Sequence, residues 1–130
     1  MDKNRGNGYQ KKNSIDESIS ELMNNWNNRK EVLSTLFRQR DKDSIQEPMN
    51  ESIVDYFHFL FWSNEREAPN MERCFDIIEQ LEYKPMNLKE RFDYIRKNPS
   101  HYHSFIQLSE LYNEQSKQYA KRKLLQAKNN

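Results

Sequence analysis

Glycine is all but missing from this chain, with Gly6 and Gly8 the only two in 130 residues. Every turn after Asn13 must therefore be made without one, which excludes glycine-rich phosphate loops and disfavours tight primed hairpins. Cysteine occurs once, as Cys74, so no intramolecular disulfide framework exists. Nothing before Ser14 resembles the apolar core of a signal peptide, and no run reaches the length of a membrane span. The longest apolar patch, Tyr56 to Trp62, is interrupted by His58. The expectation is a soluble cytoplasmic protein with no membrane contact.

Apolar content is low, at 35%, and charge is high, at 32%, yet seven Phe, seven Tyr and two Trp supply large surfaces to bury. That balance describes a small aromatic-cored helical domain over residues 14–126, with a disordered tail at 1–13 and a frayed end at 127–130. The charge is unevenly spread. Residues 1–13 hold four basic groups against Asp2 (+3) and residues 115–130 hold five against no acid (+5), so a net +1 leaves −7 for the middle. Basic ends on an acidic body either stay solvated or touch a polyanion, and a pI near 7.8 falls short of a nucleic-acid binder's usual signature.

Helical periodicity runs through the chain, and no sustained two-residue alternation appears. Ser14 with Glu17 is a capping-box pattern, followed by Ile15, Ile19, Leu22, Met23 and Trp26 at helical spacing. Leu33, Leu36 and Phe37 continue the stripe, but Asn24, Asn25, Asn27 and Asn28 are poor helix formers and predict a kink or short break. Asp41 to Glu47 reads as a charged connector. After Pro48, residues Met49 to Ser63 form a helix whose apolar positions spread around nearly its whole surface, as in a central element. Asn70 caps a further helix with Met71, Cys74, Phe75, Ile78 and Leu81 inward, ended by Pro85. Asn87 with Glu90 starts another, placing Leu88, Phe92 and Ile95 on one face and stopping before Pro99. Ser100 opens the longest helix, to about Gln126. The fold class is all-α, a bundle of five or six helices.

The string Lys84-Pro85-x-Asn87, Glu90-Arg91, Tyr94-Ile95, Pro99, His101-Tyr102-His103, Phe105, Gln107-Leu108 and Glu110-Leu111 resembles the YpoC-like family of small proteins from low-GC Gram-positive bacteria. The resemblance covers residues 84–119 well and the upstream helices loosely. It implies a helical domain and carries no established biochemical activity. Genes of that family tend to lie near those for a primosome component and a DNA-repair endonuclease, an association with DNA maintenance that says nothing of mechanism.

Several side chains are candidates for chemistry. His101 and His103 invite a metal reading, but two positions on a regular helix are 200° apart, so the imidazoles should diverge. The wheel places His101 inward with Leu108, Tyr112 and Tyr119, where its ring needs a tyrosine hydroxyl, a backbone carbonyl near Pro85 or the Glu90 carboxylate as partner and would lock the Lys84-Pro85 loop against the last helix, and His103 outward. Glu51, Asp55 and His58 form a polar strip, most simply an Asp55–His58 ion pair, since no second carboxylate-x-x-His motif completes a di-metal set. Arg91, Arg96, Lys97 and Lys84 could gather an anion at the helix start at Asn87, with Glu90 and Asp93 as the competing neutralisers. Lys117, Lys121, Arg122 and Lys123 make the end of the last helix a basic surface expected to project past the bundle, with Leu124 and Leu125 beyond it. Cys74 reads as a small buried hydrophobe.

No cofactor is implied by any of these. The favoured expectation is a non-enzymatic interaction module presenting an aromatic-rich groove and the basic C-terminal helix to a larger protein, or to a second copy of the chain. The alternatives are a metal- or histidine-dependent enzyme using His58 or His101 and His103, and an accessory nucleic-acid binder using the basic termini.

Overall fold

Ser14 starts the first helix as its pattern predicts: the Glu17 N–H donates to the Ser14 hydroxyl oxygen at 3.1 Å. The structure, a computed structural model, describes residues 14–129; the expected disordered tail at 1–13 lies outside these. Five α-helices and no strand are found among the described residues: α1 (Ile15–Gln39), α2 (Lys42–Trp62), α3 (Phe75–Gln80), α4 (Leu88–Lys97) and α5 (Tyr102–Asn129), with a 3-10 turn over Met71–Arg73. The bundle expected from periodicity is the fold observed. No helix among the described residues is long and apolar enough to cross a membrane.

Two expected interruptions are absent. α1 runs unbroken through its asparagines because Trp26, 1% exposed, anchors the middle of the helix between Leu22 and Leu33, both fully buried. Each asparagine costs at most ~0.7 kcal/mol of helix propensity, whereas each large apolar side chain gains ~1.5–3 kcal/mol on burial. The charged connector is also helical. Asp41 caps α2 by accepting from the Ser44 N–H at 3.2 Å, and Ile45 is buried one turn in, so the helix forms ahead of Pro48 and carries it internally. An interior proline costs ~3 kcal/mol, which the cap and the burial of Ile45 offset in large part.

α2 is the central element and packs against α1 and α5. Phe59 and Trp62, one turn apart along it, are both buried within the single chain. Tyr112 of α5 joins the layers: its ring stacks on Trp26 at 4.1 Å, meets Tyr56 edge-on at 5.3 Å, and its hydroxyl donates to the Ser52 carbonyl at 2.8 Å. Tyr56 and Phe57 then reach Phe92 of α4.

The glycine-free turns take left-handed backbone at Arg40, Glu65 and Asn87, with φ of 58°, 59° and 55°, at a cost of ~1–2 kcal/mol each. Asn87 occupies this conformation without a side-chain bond to α4, so the expected capping box with Glu90 does not form. Leu88, Phe92 and Ile95 are inward as expected. The segment after Asn70 is shorter than its pattern implies. Asn70 does cap, accepting from the Glu72 N–H, but a 3-10 turn separates it from α3, which stops at Gln80, well before Pro85. The cause is non-local. The Asn64 amide oxygen accepts from the Tyr83 N–H at 2.8 Å while its NH2 donates to the Tyr83 and Leu60 carbonyls, pulling residues 81–84 out of helical geometry. α5 opens at Tyr102, two residues after the expected Ser100, and runs past Gln126 to Asn129.

Candidate functional site

The His-Tyr-His triplet lies where α4 hands over to α5. His101 is exposed, contrary to the inward position its wheel implies, because it precedes the helix: its carbonyl accepts the Ser104 and Phe105 N–H groups as the first turn closes. Helical phase does not apply to a capping residue. Its Nδ1 shares a hydrogen bond of 3.3 Å with the Tyr94 hydroxyl, and the His103 ring meets Tyr94 edge-on at 5.4 Å. The two imidazoles, expected to diverge, thus flank one tyrosine of α4. Of the three partners expected for the His101 ring, the tyrosine hydroxyl is the one found, and the Lys84-Pro85 loop is not locked by it; Pro85 is buried and the Lys84 ammonium donates to the Leu81 carbonyl.

Tyr102 stands on the adjoining side, 60% exposed. Its ring is held edge-on by Phe37 at 5.6 Å and tilted against Phe105 at 6.1 Å, while Phe37 stacks on Phe105. A cleft of about 340 Å³ opens between Tyr102, Phe37, Ser34, Arg38 and Arg40. Arg38 donates to the Thr35 hydroxyl, and neither arginine has a carboxylate in ion-pair range among the described residues. Asp41, next in sequence, is occupied in capping α2. Sequence reasoning missed Phe37, Arg38 and Arg40 as site residues. Their one local signal is two arginines at the end of an apolar stripe; their nearness to Tyr102 comes from packing α1 against α5.

Arg91 does not gather anions at Asn87. It holds Glu114 through both terminal nitrogens at 2.9 and 2.8 Å, donates to Gln107 and the Met86 carbonyl, and lies 3.8 Å from Glu110. The guanidinium hydrogen bonds hold the Glu114 carboxyl below the usual range. Arg91 is neutralised from α5 rather than by Glu90, while Asp93 does neutralise Lys97, at 3.0 Å, as expected. Arg96 lies over the Phe75 ring at 5.8 Å.

On the polar strip of α2, Asp55 pairs with Arg29 of α1 at 2.9 Å and Glu51 lies 3.5 Å from the same guanidinium, a helix-crossing contact that stands beside the electrostatic pull of Asp55 on His58. The His58 ring lies 5.2 Å from Trp62, and burial pushes its pKa down. Nowhere among the described residues do three or more His, Cys, Asp or Glu side chains gather as a metal site would require.

α5 is docked as far as Gln126 rather than projecting from its basic cluster onward, although every side chain from Lys123 to Asn129 is exposed. Arg122 is 5% exposed and reaches Glu65 at 2.8 Å, while Tyr119 and Lys123 both donate to the Asp16 carboxylate at the start of α1. Lys117 and Lys121 stay exposed, as do Leu124 and Leu125. Cys74 is buried with its thiol pKa raised by that burial.

The family model described as "YpoC-like protein" matches residues 16–127. A relative from Bacillus subtilis (strain 168), described as "Uncharacterized protein YpoC", is 31% identical over 98 residues, covering 74% of this chain and 58% of the relative. The aligned region thus spans less than two thirds of that relative's length. No solved structure matches.

Proposed function

The chain belongs to the YpoC-like family, and on that premise we propose that it is a non-catalytic binding module working inside the cell, with the exposed aromatic and basic end of its bundle as the recognition surface. The observation that carries this reading is Tyr102: a large ring mostly in water, braced by Phe37 and Phe105, beside two arginines that no carboxylate among the described residues neutralises. Aromatic and arginine side chains of this kind are the usual anchors of recognition surfaces. Tyr94, His101 and His103 extend the patch on its other side. The basic end of α5 supports the reading less well, because Arg122 and Lys123 are engaged by Glu65 and Asp16. A single buried thiol fits a reducing compartment.

Site-specific photo-crosslinking tests the surface. A photoreactive side chain at Tyr102, and control chains carrying it at the exposed positions Glu21 and Glu72, would be activated in living cells. The reading expects a discrete adduct from position 102 and none from the controls. Equal adducts at all three positions, or none at 102, overturn it.

A further inference from the structure

We infer that the cleft between Tyr102 and the Arg38–Arg40 pair holds a nucleotide unit, its phosphate on the two guanidiniums and its base against the Tyr102 ring. This inference rests on the reading of that surface as the recognition site, and it names the ligand chemistry.

Size comes first. At about 340 Å³ the cleft sits at the small end of the range for small-molecule sites, roughly 300–1,000 Å³. A helix or a folded partner would not enter it, whereas one nucleotide unit is of that order. Charge is next. Guanidiniums recognise phosphate through paired N–H donors, and Arg38 and Arg40 bring two of them to one rim with no ion-paired carboxylate among the described residues to compete. Arg40 takes left-handed backbone immediately past the last turn of α1, its N–H closing onto the Leu36 and Phe37 carbonyls, so its side chain leaves from a fixed, hydrogen-bonded turn. The ring completes the set. Tyr102 is exposed, yet its orientation is set by Phe37 edge-on and Phe105 tilted against it. A braced ring in water is the stacking platform that nucleic-acid bases use, tolerant of which base arrives. An acidic peptide would satisfy the arginines and leave that ring unused.

Such a unit exists free or within a single strand, and the test separates the two. Fluorescence anisotropy of a labelled short oligothymidylate would be followed at low and moderate salt with the full chain. Unlabelled thymidine monophosphate, the same oligonucleotide as a duplex, and a poly-glutamate peptide would serve as competitors. The expected result is saturable binding that weakens as salt rises, on the order of tenfold weaker in Tyr102→Ala, weaker again in the double variant Arg38→Gln/Arg40→Gln, and retained in Tyr102→Phe. Lys128→Gln, at the far end of α5, should leave it unchanged. Competition by the monophosphate assigns the site to a free nucleotide; competition by oligonucleotide alone assigns it to a strand. Overturning results are no saturable binding to either probe, binding indifferent to the Tyr102→Ala and arginine variants while thermal melting shows them folded, or displacement by poly-glutamate more readily than by nucleotide. A discrete protein adduct at position 102 without nucleotide binding would reject this inference and leave the binding-module reading standing. Absence of both would reject both.

Discussion

Arg91 on α4 holds both carboxylate oxygens of Glu114 on α5, across 23 positions of sequence. The pair is half-buried and bidentate, with Gln107 and the Met86 carbonyl taking further N–H groups of the same guanidinium. It is a fastening between two helices, so its removal should register in stability. Arg91→Ala is expected to lower unfolding stability by about 2 kcal/mol and Arg91→Lys by about 1 kcal/mol, since an ammonium cannot supply the planar fork. Urea midpoints measure this; unchanged midpoints would show that the pair contributes nothing net.

Asp16 links the first turn of α1 to the end of α5. The Lys123 ammonium, then the Tyr119 hydroxyl, hold its carboxyl below the usual range. A carboxylate depressed in the folded state contributes stability above its unfolded pKa of ~3.9 and loses it as pH falls through the folded value. Asp16→Asn should therefore flatten the acid side of the stability–pH curve, with a smaller difference from wild type at pH 3 than at pH 6. A constant difference across that window would remove Asp16 from the acid response.

His58 behaves in the opposite chemical sense with the same slope. Burial lowers its pKa against the opposing pull of Asp55 and Glu67. The unfolded chain then binds a proton more readily than the folded one, so stability is full above the unfolded value of ~6.5 and declines as pH falls below it. Imidazole NMR titration should find His58 titrating below an ordinary histidine. His58→Gln should remove the part of the stability loss that falls between neutral and mildly acidic pH.

Asn64 clamps the chain that follows α3 by three hydrogen bonds to the backbone of Tyr83 and Leu60. Asn64→Ala is expected to cost about 2 kcal/mol and to release the Tyr83 amide to fast hydrogen exchange. Persistent protection of that amide in the variant would place the cause of the α3 stop elsewhere.

Much of the fold was legible in local signals. Ser14 and Asn70 cap where their patterns place them, and the inward sets on α1, α2 and α4 follow the helical period. The misread places are those where a local preference met a stronger distant one. The asparagines of α1 yield to Trp26 stacked on Tyr112, and the run after Asn70 yields to Asn64. His101 was misplaced for a different reason: the helix starts just after it, and wheel geometry holds only inside a helix.

The candidate site divides the same way. The triplet and its tyrosine stand out in the sequence as residue types, but Phe37, Arg38 and Arg40 reach Tyr102 only through the packing of α1 against α5. Arg29 finds Asp55, and Arg122 finds Glu65, by the same route. The amino-acid order determined that this chain would be helical, glycine-free in its turns, and aromatic at its centre, because a helical period and a capping side chain act within one or two turns of backbone. Which charges neutralise one another, and which arginines stand beside an exposed ring with no carboxylate partner among the described residues, was decided by tertiary structure. Those contacts join side chains far apart in sequence, and their strength depends on distances that no local period encodes.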